Sequence, residues 1–175
     1  MVAVRTDGLL IALADGAGGA SNGALAAQAV IDAAARGGDP TETLLECDEY
    51  LQNVGLTTAI IMHVGDGGVV GASVGDSAAC RIDRDVIDLT ERQHRKPLVG
   101  GGCVPVAFRC ERPLGTATLL VASDGLFAYA AAADIARIVR AGGDLCAMAD
   151  TLVGLVRLPT GGLQDDVTIV LCRAT

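Results

Sequence analysis

Leu9-Leu10-Ile11-Ala12-Leu13-Ala14 is an apolar run that halts at Asp15 and then turns on Gly16, Gly18 and Gly19. Such a run, bounded by turn residues, predicts a strand buried on both faces. Asp15 then lies at a strand end on the rim of a core, where an unpaired carboxylate is costly. The glycines allow a sharp turn and leave room for a ligand. The design recurs along the chain. Val69-Val70-Gly71-Ala72-Ser73-Val74-Gly75 runs into Asp76, Leu119-Leu120-Val121-Ala122-Ser123 runs into Asp124-Gly125, and Asp165-Asp166 precede Val167-Thr168-Ile169-Val170-Leu171. Several aspartates at strand ends in one small domain point to a hard-cation site, because Mg²⁺ and Mn²⁺ take carboxylate oxygens as ligands.

The 175 residues suit a single domain over 1–175 with a sizeable core. Aromatic residues make up only 2%, so Ala, Val, Leu and Ile must build that core. The formal net charge of −8 argues against non-specific nucleic-acid binding and against an anionic membrane surface. No apolar stretch reaches the ~18 residues that span a bilayer, and no basic segment followed by an apolar one marks secretion. Cys47, Cys80, Cys103, Cys110, Cys146 and Cys172 are dispersed, with no Cys-x-x-Cys pair. They read as reduced core residues of a cytoplasmic protein.

Residues 2–6 and 9–14 flank Asp7-Gly8, a hairpin signal, so the chain is expected to begin inside a strand. Ser21 or Asn22 is expected to cap a helix reaching Ala35, with Leu25, Ala29, Val30 and Ala33 on its packed face and Gly37-Gly38 ending it. Asp39-Pro40-Thr41-Glu42 is a capping box for a second helix reaching Asn53, with Leu44, Leu45 and Leu51 inward. Strands are predicted over 56–64, 68–74, 77–82 and 86–89, joined by Gly65-Asp66-Gly67 and Asp83-Arg84-Asp85, and together they read as a meander. His63, near the first of these turns, reads as a turn or surface residue. Residues 90–112 have no clear period, and irregular loops of that length are usually functional or mobile. This one carries the charged run Glu91-Arg92-Gln93-His94-Arg95-Lys96 and then Gly100-Gly101-Gly102. A strand over 116–122, helices over 134–141 and 144–158, and a strand over 167–173 complete the order. Helices segregated from antiparallel strands imply an α+β fold.

Asp15-Gly16-x-Gly18-Gly19, Gly75-Asp76-Ser77, Ser123-Asp124-Gly125 and Asp165-Asp166-x-Thr168 resemble, in this order, the motifs of metal-dependent protein phosphatases of type 2C, the PPM family. The resemblance runs from about Leu9 to the C-terminus and suggests a short, bacterial-like member. It implies a four-layer αββα sandwich of two antiparallel sheets flanked by helix pairs. It also implies two Mn²⁺ or Mg²⁺ ions, with Asp15 bridging them, Gly16 offering its carbonyl oxygen, and Asp124 and Asp165 completing the second. Asp76 would serve a weaker third ion, and Asp166 would orient the ligands or join them occasionally. The family has a flap where residues 90–112 lie, so the basic run would meet phosphorylated substrate there; a solvated charged loop is the alternative. His94 is weighed as a general acid in that position.

The family also carries an arginine and an acidic metal ligand on its first strand, farther upstream than this chain reaches. Arg5 and Asp7 lie too close to Asp15 to match them, and Asp7 is better explained by the turn. Ala17 stands where many members have His or Met, so water or the substrate would have to protonate the leaving group. Two cations about 4 Å apart acidify a shared water and neutralise a phosphate ester, which allows in-line attack without a covalent intermediate. The expected function is hydrolysis of phosphoserine or phosphothreonine in a phosphoprotein, or of a small phosphate monoester. The alternatives are a pseudophosphatase or regulatory binding module that keeps the fold, and an unrelated cation-binding α+β domain.

Overall fold

The structure is a computed structural model that describes residues 2–5, 8–18 and 22–174, with the backbone alone for 2–5. The elements in chain order are β1 (Val2–Arg5), β2 (Gly8–Gly16), α1 (Gly23–Arg36), α2 (Pro40–Leu51), β3 (Thr57–Gly65), β4 (Gly68–Val74), β5 (Ala78–Ile82), β6 (Val86–Asp88), β7 (Val106–Cys110), β8 (Thr118–Ala122), α3 (Asp124–Phe127), α4 (Ala132–Ala141), α5 (Leu145–Leu155) and β9 (Ile169–Arg173). They form two compact units: Met1–Ser77 with Thr90–Pro113, and Ala78–Leu89 with Leu114–Thr175. All strand pairs are antiparallel, so the α+β class read from the sequence holds.

The first unit is a five-stranded sheet in the order β1-β2-β3-β4-β7. The β1–β2 turn with Asp7, the side chain of Arg5, Gly19 and the Ser21 cap lie outside the described residues. As the apolar run predicts, β2 is buried on both faces. Leu10 and Ala12 join Ala59, Ile61, Ala72 and Val74 in a core completed by α1 and α2, and Ile11 and Leu13 of the opposite face are at most 2% exposed. Asp39 caps α2, its Oδ1 accepting the N–H groups of Thr41 at 2.9 Å and Glu42 at 3.1 Å. The helix faces follow expectation at Val30, Ala33, Leu44 and Leu51 and depart from it at two leucines. Leu25 and Leu45 are exposed, at 62% and 45%, while Ala26, Val30, Ala33 and Ala34 of α1 and Leu44, Cys47 and Leu51 of α2 turn inward. One residue is a rotation of about 100° on a helix, so Leu25 and Leu45 each sit just off the stripe that their neighbours fill. Asn22 is left-handed (φ 78°) and caps nothing with its side chain; its amide donates instead to the Val54 carbonyl at 3.1 Å.

The expected meander does not form. The β3–β4 hairpin turns on Asp66-Gly67, but β4 then pairs with β7, while β5 and β6 belong to the other sheet. A local apolar pattern states that a strand exists, not which edge it joins. Strand β7 lies in the segment read as irregular, although Val106-Ala107-Phe108-Arg109-Cys110 alternates in burial as an edge strand does.

The second unit is a four-stranded sheet in the order β6-β5-β8-β9. Cys80, Ile82, Leu120 and Ala122 pack against Leu126 of α3, Ile135 and Val139 of α4, and Met148 and Leu152 of α5. On the opposite face Ala79, Leu119 and Val121 are fully buried, and with them Arg81, only 6% exposed. Asp144 caps α5 through the Ala147 N–H at 2.9 Å. All six cysteines are free thiols, but Cys146 on α5 is exposed and is therefore not a core residue.

Candidate functional site

In the first unit the predicted site residues gather at one end of the sheet. The Thr57 hydroxyl donates to the Asp15 carbonyl at 2.9 Å, and the Ala17 N–H donates to the Leu56 carbonyl at 2.9 Å, so the backbone on both sides of Gly16 is fixed. Gly16 is required by the fold rather than by room for a ligand. A Cβ there would run into the Gly23 backbone at the start of α1, and one on Gly23 would come within 2.7 Å of the Ala17 carbonyl. Asp15 is half-buried and registers with Thr58 of β3. The Thr58 hydroxyl reaches the Ser77 hydroxyl at 2.8 Å, beside the half-buried Asp76. Thr58 thus links the segments that carry Asp15 and Asp76.

The loop after residue 90 is fastened rather than loose. The His94 carbonyl accepts the Gly75 N–H at 2.9 Å, and Gln93 Nε2 donates to the Ser77 carbonyl at 2.6 Å. Farther on, Val99 exchanges backbone hydrogen bonds with Thr57 at 3.1 and 3.2 Å. Arg95 and Lys96 are exposed between these two attachments, and Arg92 and His94 are exposed at the first of them.

A third fastening comes from a residue that the sequence did not single out. Asp48 of α2 is 6% exposed, and its Oδ1 accepts the N–H groups of Gly100, Gly102 and Cys103 at 2.7, 3.1 and 3.1 Å. Burial alone would raise its pKa. The N–H groups of Cys103, Gly100 and Gly102, with the Cys103 thiol, outweigh burial and hold the carboxyl below its usual range. Burial, with the Asp48 carboxylate beside it, pushes the Cys103 thiol up to about 12. On α2 Asp48 reads as one more acid between Glu46 and Glu49; only its register with Leu44 and Leu51 hints that it faces inward.

In the second unit Asp124 opens α3 directly after β8, and a clamp joins its segment to Asp165-Asp166. The Ser123 hydroxyl accepts the Thr168 N–H at 3.0 Å and donates to the Asp166 carbonyl at 3.3 Å, and the Ser123 N–H donates to the Thr168 carbonyl at 3.1 Å. Gly125 packs so closely that a Cβ would strike the Asp166 carbonyl. Asp165 and Asp166 precede β9, which begins at Ile169, and both are exposed. Asp165 Oδ1 accepts the Asp166 N–H at 2.9 Å. The donors assigned to cations are carboxylate and carbonyl oxygens, the kind that Mg²⁺ and Mn²⁺ prefer. Among the described residues, no group of three or more His, Cys, Asp or Glu side chains forms a metal-ligating cluster. The sequence analysis also missed the buried Arg81, because it sits inside an otherwise apolar strand.

No protein-family model and no curated protein matches the sequence. Among solved structures the chain shares, over nearly its whole length, the fold of bacterial serine/threonine phosphatases, the fold that the type-2C motifs imply. It is similar to a variant of a bacterial serine phosphatase (24% identity, 99% of this chain and 89% of that one, TM-score 0.85). It is also similar to the serine/threonine phosphatase Stp1 from Staphylococcus aureus (22% identity, 100% and 87% covered, TM-score 0.83). The Mycobacterium tuberculosis serine/threonine phosphatase PstP/Ppp aligns at 22% identity over 98% of this chain and 89% of its own, with a TM-score of 0.77. At these identities the likeness is one of fold.

Proposed function

We propose that the chain is a Mn²⁺- or Mg²⁺-dependent phosphatase acting on phosphoserine or phosphothreonine in a phosphoprotein, or on a small phosphate monoester. The observation that carries this is the Ser123 clamp, which joins the Asp124-Gly125 and Asp165-Asp166 motifs within a phosphatase fold. In this proposal Asp15 with the Gly16 carbonyl, Asp124 and Asp165 would hold the cations, and Asp76 would serve a weaker further one. When bound, the cations would acidify the attacking water and offset the charge of the phosphate ester. The chain's own part is to fix these oxygen donors: Thr57 holds the Asp15 backbone and Ser123 holds the Asp166–Thr168 backbone. Ala17 carries no proton to give, so water or the substrate itself would protonate the leaving group. The proposal includes the four-layer αββα arrangement, a single working domain and a cytoplasmic location. It is in keeping with six free thiols and with described helices none of which is long and apolar enough to cross a membrane.

The test is hydrolysis of an aryl phosphate with and without Mn²⁺, comparing the wild type with Asp124→Asn, alongside calorimetric titration of Mn²⁺. Mn²⁺-dependent turnover that Asp124→Asn abolishes supports the phosphatase. Mn²⁺ binding without turnover favours the second reading, a pseudophosphatase or regulatory module that keeps the fold. That reading draws on the lack of a three-residue ligand cluster among the described residues.

A further inference from the structure

The second unit's sheet has two ends of opposite character. Asp124 follows β8 at its Ala122 end. At the other end Thr118 registers with Ile82 of β5 and Arg173 of β9, and the strand between spans about 13 Å. A cavity of about 520 Å³ opens at this second end, and Arg84, Arg140 and Arg173 line it. These arginines come from the β5–β6 turn, the last turn of α4 and the end of β9.

Two of the three guanidinium groups are held by neutral oxygens. Arg140 donates to the Asp83 and Arg84 carbonyls at 2.8 and 3.0 Å. Arg173 donates twice to Thr118 Oγ1, at 3.1 Å each, and once to the Gly143 carbonyl at 3.2 Å. None of the three forms an ion pair among the described residues. Each guanidinium carries five N–H donors, so both anchored arginines keep donors to spare, and the Arg84 side chain is exposed. Asp83 is the one carboxylate in the lining, against three cations, in a chain of net charge −8. Two anchored guanidinium groups and a third that is exposed, none in an ion pair among the described residues, suit phosphate oxygens, which guanidinium groups grip in pairs. The volume lies within the range of small-molecule sites, and Ile82 and Val139 add an apolar wall.

We propose that this arginine-lined cavity binds a phosphate-bearing small molecule, at a site separate from the Asp124 end of the same sheet. The probes are inorganic pyrophosphate and ADP, titrated calorimetrically into the full chain in EDTA so that no metal complex contributes. Saturable binding is expected, weakened about tenfold in Arg84→Gln and in Arg140→Gln through loss of a charge-assisted contact. Binding should be unchanged in Asp124→Asn. Arg84→Gln keeps the test sound even if Arg140→Gln loosens the β5–β6 turn, because the Arg84 side chain holds no hydrogen bond among the described residues. Absence of saturable binding of either probe at millimolar concentration overturns the proposal. So does binding that Asp124→Asn removes and Arg84→Gln leaves intact.

Discussion

Asp48 and Asp124 are both aspartates held near backbone N–H groups and glycines, yet their surroundings give them different work. Asp48 is buried, and one of its oxygens takes three N–H donors from the glycine-rich loop. Its hydrogen-bonding capacity goes into holding residues 100–103 against α2. Asp124 is half-buried, and the contacts that hold its segment run through its neighbours Ser123 and Gly125. Three N–H donors on one oxygen commit the Asp48 carboxylate to the fold, whereas Asp124 stands where β8 meets α3, at the strand end that the proposed function gives to cations.

Substitutions can break that contrast. The largest effect is expected for Asp124→Asn, a loss of about 10³-fold in Mn²⁺-dependent turnover, or ~4 kcal/mol of barrier, with unfolding free energy changed by less than about 1 kcal/mol. Parallel kinetics and denaturant melts check both halves; a variant that fails to fold would make Asp124 a second Asp48. Asp48→Ala strands three N–H groups and should cost about 3 kcal/mol of stability, read as a lower denaturation midpoint.

A pH series sharpens the comparison. The folded pKa of Asp48 is depressed, so its stabilisation is complete above the unfolded carboxyl value of about 3.9 and is lost as pH falls through the folded value. The stability gap between the wild type and Asp48→Asn should therefore narrow on acidification below about pH 4. Equal gaps at pH 3 and pH 7 would remove the carboxylate from the account. Ser123→Ala should cost about 1 kcal/mol and lower turnover without changing the melting behaviour of residues 90–113, which amide exchange can follow. The smallest effect concerns the thiols. A maleimide should label exposed Cys146 in the native protein well before Cys80 and Cys103, whose thiols burial pushes up to about 12.

Much of this architecture was legible because its signals are contiguous. The β2 run, the Asp66-Gly67 hairpin and the Asp39-Pro40 cap each lie within a few residues. The Asp-Gly motifs were legible for the same reason, and they led to the phosphatase fold before any coordinates. Leu25 and Leu45 misled because a helix face shifts by about 100° per residue; on α1 small alanines fill the place expected for leucine, and on α2 Leu44 and Cys47 do. Strand β7 was missed because a five-residue edge strand among loops carries little period.

The sequence by itself determined that most of the strands and helices exist, which acids end strands, and the α+β class, since these depend on short-range periodicity and turn chemistry. Tertiary structure alone decided that β4 pairs with β7 and not β5, because pairing depends on edges that distant segments supply. It alone placed Asp48 beneath Gly100, 52 residues away, and collected Arg84, Arg140 and Arg173 around one cavity. A buried charge or a shared pocket is set by neighbours in space, and no local window of residues contains them.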